Sequence, residues 1–258
     1  MSIAERIGNL ASGVVERLIL EEVKKSPPPR HLAIITDGNR RFARSAGLDD
    51  NSGHVLGKGK LEEVLKWSRE VGIKIVTVYA FSTENFKRSN EEVAFLMDLI
   101  ESSLRGLLDD PRIFENKIRV KIIGDWSKLP EKLVKTAREV ERKTARFKNF
   151  RLNLAVSYGG RAEIIDAIKK IALEVKAGKI APSEITEERF RSYLYDNTMP
   201  DPDLIIRTSG EERISNFLLW QSAYSELYFS DLNWPELKKI DFLRAILAYQ
   251  GRKRTFGS

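Results

Sequence analysis

The chain has no cysteine and only two histidines, His31 and His54, among 258 residues. Disulfides, thiolate catalysis and cysteine metal sites are excluded together, and a zinc centre lacks ligands. Any metal is therefore expected to be a hard cation held by oxygen. No apolar run approaches the roughly 18 residues of a membrane span, and no basic start leads into an apolar block and a small-residue cleavage site. A soluble, cytoplasmic protein is expected. There is no Gly-x-x-x-x-Gly-Lys-Ser/Thr loop, and no Gly-x-Gly-x-x-Gly opens a helix after the first strand, so the familiar nucleotide loops are missing.

What is present is ordinary globular material, 42% apolar and 31% charged, with a net charge of +7. That excess favours anionic partners without choosing among nucleic acid, lipid and phosphorylated metabolite. The largest basic tract, Glu131 to Lys148, alternates acids with bases along a helical pattern and reads as a solvated face. The tail Arg252-Lys253-Arg254 is short. Neither is interleaved with the aromatics that single-strand binding uses, so no nucleic-acid partner is expected.

Ile3, Ile7, Leu10, Val14 and Leu18 form one apolar helical stripe that ends at Ser26-Pro27-Pro28-Pro29. This helix and proline linker, residues 1–29, precede a single domain expected over 30–258. The helix could dock on its own domain, on a partner subunit or on a membrane surface. Strand-like runs follow at Leu32 to Thr36, Ile73 to Ala80, Ile118 to Ile123, Leu152 to Ser157, Leu204 to Arg207 and Leu227 to Phe229. Helical stretches at His54 to Val71, Glu91 to Leu108, Pro130 to Phe147 and Arg161 to Lys176 separate most of them, and Glu187 to Tyr195 and Asp241 to Tyr249 add two more. Such alternation predicts an α/β fold with a mainly parallel six-stranded sheet flanked by helices.

Ligands of open parallel sheets sit beyond the carboxyl ends of the strands. The first strand runs without a spacer into Asp37-Gly38-Asn39-Arg40-Arg41. The Asp37 carboxylate can hold a cation or take a proton, while Gly38 and Asn39 tolerate a backbone whose N–H groups converge on an anion. The plainer reading of Asp37 is a helix N-cap. Later exits deliver Ser82-Thr83-Glu84-Asn85-Phe86-Lys87-Arg88, Gly124-Asp125-Trp126, Tyr158-Gly159-Gly160-Arg161 and Arg207-Thr208-Ser209-Gly210. Arg207, Arg213 and Ser215 can surround one anion, and Arg41 with the Gly38-Asn39 backbone a second, so two phosphorylated substrates are expected. The apolar run Val93, Phe95, Leu96, Met97, Leu99 and Ile100 is either core or the wall of a tunnel for an apolar chain.

Asp-Gly-Asn-x-Arg at 37–41, Gly53-His54, Tyr-Ala-Phe-Ser-Thr-Glu-Asn at 79–85 and Arg-Ile-Ser-Asn-Phe-Leu-Leu-Trp-Gln at 213–221, with Tyr224 and Glu226 beyond, resemble the cis-prenyltransferases, the undecaprenyl diphosphate synthase group, in order and spacing. The resemblance covers nearly everything from residue 30 onward. It implies a magnesium-dependent homodimeric enzyme that adds isopentenyl diphosphate to an allylic prenyl diphosphate with Z geometry. The expected product is a polyprenyl diphosphate, a lipid-carrier precursor for glycan assembly, made in a fold with a hydrophobic tunnel and released through peripheral membrane contact.

By the same resemblance Asp37 would bind magnesium and assist departure of the allylic diphosphate, with Gly38, Asn39, Arg40, Arg41, Phe42 and His54 around that group. Ser82 and Asn85 would support proton removal, Asn85 as a catalytic residue, and Phe86 and Arg88 would position the isopentenyl unit. Thr83, Glu84 and Ile214 belong to the same substrate-binding blocks. Arg207, Arg213 and Ser215 would hold isopentenyl diphosphate, and Glu226 would complete the metal site with help from the neighbouring subunit. His54 and Asn85 could instead be a cap and a turn residue, and Glu226 could merely pair with an arginine.

The chain departs from the bacterial pattern at Asp50, where an arginine contact to the allylic diphosphate is usual, at Phe86 in place of tryptophan, and at Thr255-Phe256-Gly257 in place of Arg-x-Gly. An acid at 50 is expected to repel that diphosphate unless Arg40 or Arg44 supplies the contact. A non-catalytic partner subunit, or transfer of the prenyl group to another acceptor, is the alternative function. Neither Asp49-Asp50 nor Asp109-Asp110 continues into the Asp-Asp-x-x-Asp of trans-type enzymes.

Overall fold

The computed structural model describes residues 3–252, with side chains from residue 13 onward. The stripe residues Ile3, Ile7 and Leu10 and the Thr255-Phe256-Gly257 departure therefore lie outside the described side chains. In chain order the elements are α1 (Ile3–Val23), β1 (His31–Ile35), α2 (Asn39–Ser45), α3 (Asp50–Glu70), β2 (Ile75–Ser82), α4 (Asn90–Asp109), α5 (Pro111–Glu115), β3 (Ile118–Ile123), α6 (Glu131–Thr144), β4 (Phe150–Tyr158), α7 (Gly160–Lys176), α8 (Glu187–Arg191), β5 (Leu204–Arg207), β6 (Glu226–Phe229) and α9 (Lys239–Gln250). Short 3-10 turns intervene, among them Thr83–Lys87 directly after β2. The strands form one six-stranded sheet in the order β3-β4-β2-β1-β5-β6. The β1–β5, β5–β6 and β3–β4 pairs are all parallel, as the alternation of runs requires.

The chain folds as two compact units, residues 1–76 with 202–212 and 226–258, and residues 77–201 with 213–225. In the first, β1 is buried at every position, the continuous apolar run of a strand covered on both faces. Its register with β5 sets Leu32 against Leu204 and Ile35 against Arg207, and β6 continues it with Leu204 against Glu226 and Arg207 against Phe229. Thus Ile35, Arg207 and Phe229 share the carboxyl end of the trio. Helix α1 packs against α9, with Leu20 and Val23 buried, while the stripe residues Val14 and Leu18 stay exposed.

In the second unit β3 is the edge strand of the sheet, an arrangement that leaves outward N–H groups to satisfy. Helix α6 satisfies them: Thr144 Oγ1 accepts from Val120 N at 3.1 Å and Glu141 Oε1 from Ile122 N at 2.8 Å. On α4, Leu96 and Met97 are buried while Val93, Phe95, Leu99 and Ile100 are half-buried, so part of that apolar run is core. Buried Glu101 accepts from Thr136 Oγ1 at 2.8 Å and pairs with Lys132, fastening α4 to α6.

Candidate active site

In the first unit the chain leaves β1 through a turn fixed at its backbone. Asp37 N donates to Ile35 O at 3.0 Å and to Thr208 Oγ1 at 3.0 Å, and the Thr208 hydroxyl returns a bond to Asp37 O at 2.7 Å. Gly38 then adopts φ 97°; a Cβ there would stand 2.5 Å from Asn233 Oδ1 and 2.9 Å from Asn233 Cα, so a side chain is excluded by strain and by contact. The turn holds the Asp37 carboxylate on two donors, Gly38 N to Oδ1 at 2.8 Å and Arg207 Nη2 to Oδ2 at 2.7 Å. Arg207 is buried, whereas the Asp37 side chain keeps 39% of its surface open. Asp37 does not cap α2: the N-cap is Gly38, which makes no side-chain bond.

Helix α2 rests on α3 through two glycines one turn apart. A Cβ on Gly53 would come 2.2 Å from Asn39 O, and one on Gly57 would come 2.2 Å from Asn39 Oδ1. That oxygen is buried and accepts no hydrogen bond. The close approach presses the Gly53–Gly57 turn of α3, which carries His54, against Asn39 at the start of α2. Trp234 locks the same corner, its N donating to Asp37 O at 2.9 Å and its Nε1 to Gly57 O at 2.8 Å. Arg41 reaches Ser209, donating through Nη1 to Ser209 O at 2.7 Å and to Ser209 Oγ at 2.5 Å.

Asp50 does not stand as a bare repelling acid. Arg44 clasps its carboxylate with Nε at 2.9 Å and Nη2 at 2.8 Å, and this hydrogen bond holds the Asp50 carboxyl below its ordinary range. Glu226 starts β6, level with Leu204 and Leu32, whereas Asp37 lies past Ile35 at the other end of the strands. Three strand steps at about 3.3 Å each separate them by about 10 Å along the strand alone, so one chain does not bring both carboxylates to one ion. Arg252 Nη1, an arginine outside the predicted rim, pairs with Glu226 Oε2 at 2.5 Å.

In the second unit β2 ends in a capping box: Asn85 N donates to Ser82 Oγ at 3.2 Å and Ser82 N to Asn85 Oδ1 at 2.9 Å. With its oxygen so engaged, Asn85 has its Nδ2 donors to offer a ligand. Phe86 packs edge-on to Phe81 at 4.9 Å, and Arg88 pairs with Glu92 at 2.8 Å. Burial pushes the Glu84 carboxyl up, but bonds from its own backbone N–H and from Asn216, Ser82 and Thr83 bring it below its ordinary range.

Arg213 and Ser215 are exposed on a segment in which Ser215, Asn216 and Leu218 all take positive φ, at 46°, 66° and 46°. Sequence reasoning missed what holds it. Asn216 O accepts from Gly160 N at 2.7 Å, its Oδ1 from Arg161 N at 2.8 Å, and its Nδ2 donates to Glu84 at 2.8 Å. Tyr79 stacks on Phe217 at 4.5 Å and its hydroxyl donates to Tyr158 O at 3.2 Å. Beneath them buried Glu163 accepts from Tyr158 at 2.6 Å, Gln221 Nε2 at 3.1 Å and Tyr195 N at 3.0 Å. Burial raises the Glu163 carboxyl above its ordinary range, against those bonds. The aromatic and amide types in 213–221 were a signal that this loop is packed rather than merely polar.

A carboxylate held open at a strand end, with arginines and glycine-shaped backbone around it, is chemistry for a phosphorylated ligand. The Prenyltransf family model, that of undecaprenyl diphosphate synthases, matches residues 35–257. The chain belongs to the undecaprenyl diphosphate synthase family. It is a cis-prenyltransferase, an enzyme of cis chain elongation. The Picrophilus torridus protein named tritrans,polycis-undecaprenyl-diphosphate synthase (geranylgeranyl-diphosphate specific) is 67% identical, covering 97% of this chain and 98% of the relative. The protein of the same name from Thermoplasma volcanium is 62% identical over the whole of both chains. Among solved structures, lavandulyl diphosphate synthase from Lavandula x intermedia, in complex with dimethylallyl diphosphate, superposes with a TM-score of 0.86 at 38% identity, covering 90% of this chain and 99% of that one.

Proposed function

We propose that this cis-prenyltransferase extends geranylgeranyl diphosphate with isopentenyl diphosphate units, using Mg2+, to give a polyprenyl diphosphate that serves as lipid-carrier precursor for glycan assembly. The primer is carried over from the names of the Picrophilus and Thermoplasma relatives. The observation that carries the reading is the Asp37 turn, in which an open carboxylate is fixed by Gly38 and Arg207.

Magnesium fits this donor set. It is commonly held by one or two carboxylates together with substrate phosphates, and a carboxylate has about four lone-pair sites, of which Gly38 and Arg207 use two. Among the described residues no cluster of three or more His, Asp or Glu forms a ready cage. When bound, the ion supplies positive charge against the departing diphosphate.

The chain's own groups do the rest. Arg40, Arg41, His54 and the first amides of α2 hold the allylic diphosphate, each N–H preorganised where charge develops. Ser82, Asn85, Arg88, Arg213 and Ser215 orient isopentenyl diphosphate; Asn85 does so as a donor, its oxygen already accepting from Ser82 N. Holding both reactants converts condensation into an effectively unimolecular step. Glu226 joins the metal site from a second copy of the chain, which makes a homodimer the working form. The enzyme works in the cytoplasm and meets the membrane peripherally to release product; among the described residues no helix is long and apolar enough to cross one.

Purified protein given magnesium, labelled isopentenyl diphosphate and geranylgeranyl diphosphate is expected to yield a long apolar product that chelation abolishes. Absence of any elongated product would overturn the reading in favour of a non-catalytic partner subunit.

A further inference from the structure

Away from the Asp37 turn, the second unit carries two adjoining open cavities of about 430 and 320 Å³ where α6 lies along the edge strand β3. They share Lys121, Arg138 and Glu141; Arg119 and Arg142 line one, Lys170 and Trp126 the other. The tract 131–148 reads as a solvated face because its acids and bases alternate. The fold changes that count by adding Arg119 and Lys121 from β3 and Lys170 from α7 to the same place.

Glu141 is the one carboxylate lining either cavity, and both its oxygens are engaged, Oε1 by Ile122 N at 2.8 Å and Oε2 by Lys121 Nζ at 3.1 Å. Its ion pair among the described residues is with Lys121. Arg119, Arg138, Arg142 and Lys170 have no carboxylate within ion-pair distance among the described residues. Arg138 and Arg142 are moreover an i,i+4 like-charge pair, which works against the helix carrying it. Trp126, half-buried at the wall of the larger cavity, has no aromatic partner among the described rings. Lys170 donates to Tyr193 O at 3.2 Å and lies over the Tyr195 ring at 5.9 Å, which leaves its charge unneutralised. Four cations without a carboxylate suit an oligophosphate, and an unstacked indole in a cavity of ligand size suits a flat ring on that oligophosphate.

We propose that this groove between β3 and α6 binds a soluble organic oligophosphate of the nucleotide class, held by Arg119, Arg138, Arg142 and Lys170 with its ring against Trp126. It uses side chains, not a glycine loop, which is why no motif announces it.

ATP and inorganic tripolyphosphate are the probes, and hydrogen exchange of peptides spanning 118–126 and 138–145 is the local readout. Exchange there is expected to slow on adding ATP to the full-length protein. Arg138→Glu/Arg142→Glu is expected to weaken ATP at least tenfold with the melting temperature and prenyl elongation unchanged. Trp126→Ala is expected to weaken ATP at least threefold while sparing tripolyphosphate. Unchanged exchange with ATP, equal affinity of ATP and tripolyphosphate, or a double variant that loses binding to anionic vesicles but retains ATP would each overturn the proposal. Because elongation is read separately, failure here leaves the Asp37 reading untouched, and the reverse.

Discussion

The Asp37 turn and the 213–218 segment solve one problem, holding charged side chains in a loop, by opposite means. The first is short and over-determined. A fully buried strand feeds a glycine turn whose peptide groups bond to Thr208, Ile35 and Trp234, and the carboxylate has little freedom left. The second is long and held from outside. Three non-glycine residues sit at positive φ, and Asn216, Tyr79 and the Glu163 cluster hold them there. The first turn therefore depends on backbone geometry, and the second on remote side chains. Damage to the first should appear in chemistry with folding largely preserved, whereas damage to the second should appear in stability and substrate affinity together.

Asp37→Ala gives the sharpest contrast. Turnover is expected to fall by about a thousandfold or more, the scale of lost transition-state charge stabilisation. Buried Arg207 loses the Asp37 bond as well, at a cost of about 1–3 kcal/mol, so the variant should remain folded with a lower melting temperature. Asp37→Asn should recover most of that stability and little of the rate. Near-normal turnover in either variant would break the comparison at its first term.

Asn216→Ala tests the other side. It removes the bonds to Arg161 N and Glu84 and places alanine at φ 66°. With about 1 kcal/mol for the neutral bond, 1.5–3 for the charged one and 1–2 for the left-handed backbone, a loss of about 3.5–6 kcal/mol is expected by denaturant melt. KM for isopentenyl diphosphate should rise about tenfold or more. Asn216→Gly separates the causes, since it relieves the backbone and still loses the bonds. If Asn216→Ala melts like wild type, the segment holds itself and the contrast fails.

Glu163→Gln probes the buried support beneath that segment. The folded-state carboxyl is raised by burial, so its contribution is fully present below the unfolded value of about 4.3 and is lost as pH climbs through the raised folded value. The stability of wild type relative to Glu163→Gln should therefore decline as pH is raised from about 4.3. A constant difference between the two melting curves above that pH would show that the carboxyl is not titrating from a buried state.

How much of this is legible in the sequence follows the same division. Strands β3 and β5 have the bounds their apolar runs predict, and α4 and α7 begin within a residue of expectation, because each is a buried or one-sided element with a clear period. Helix α2 is invisible: only Ala43 of its seven residues is buried, so it has no stripe to read. Asp37, Gly38 and Arg207 stand out because acid, glycine and arginine at strand ends have few other uses. Thr208, Gly57 and Trp234 do not, since their roles are contacts made 150 or more residues away in the chain. Asn216 is likewise ordinary in sequence and becomes a hub only once Glu84 and Arg161 are brought to it.

The smallest expected effect concerns Asp50, and it bears on whether the Asp37 side of the molecule is as self-contained as its backbone suggests. An acid at this position looks hostile to an allylic diphosphate, yet Arg44 meets it with two parallel bonds, and both side chains sit where water screens them. Exposed pairs contribute about 0–1 kcal/mol, so Asp50→Asn should move the melting temperature by no more than about 2 °C and should lose even that difference in high salt. If the paired acid is electrostatically silent, KM for the allylic substrate should change less than about threefold. A large fall in KM would mean that Asp50 still acts on the diphosphate through its Arg44 partner; a large rise would mean that the pair holds Arg44 in place for the substrate. Either result would extend the proposed site from the turn to the α2–α3 corner.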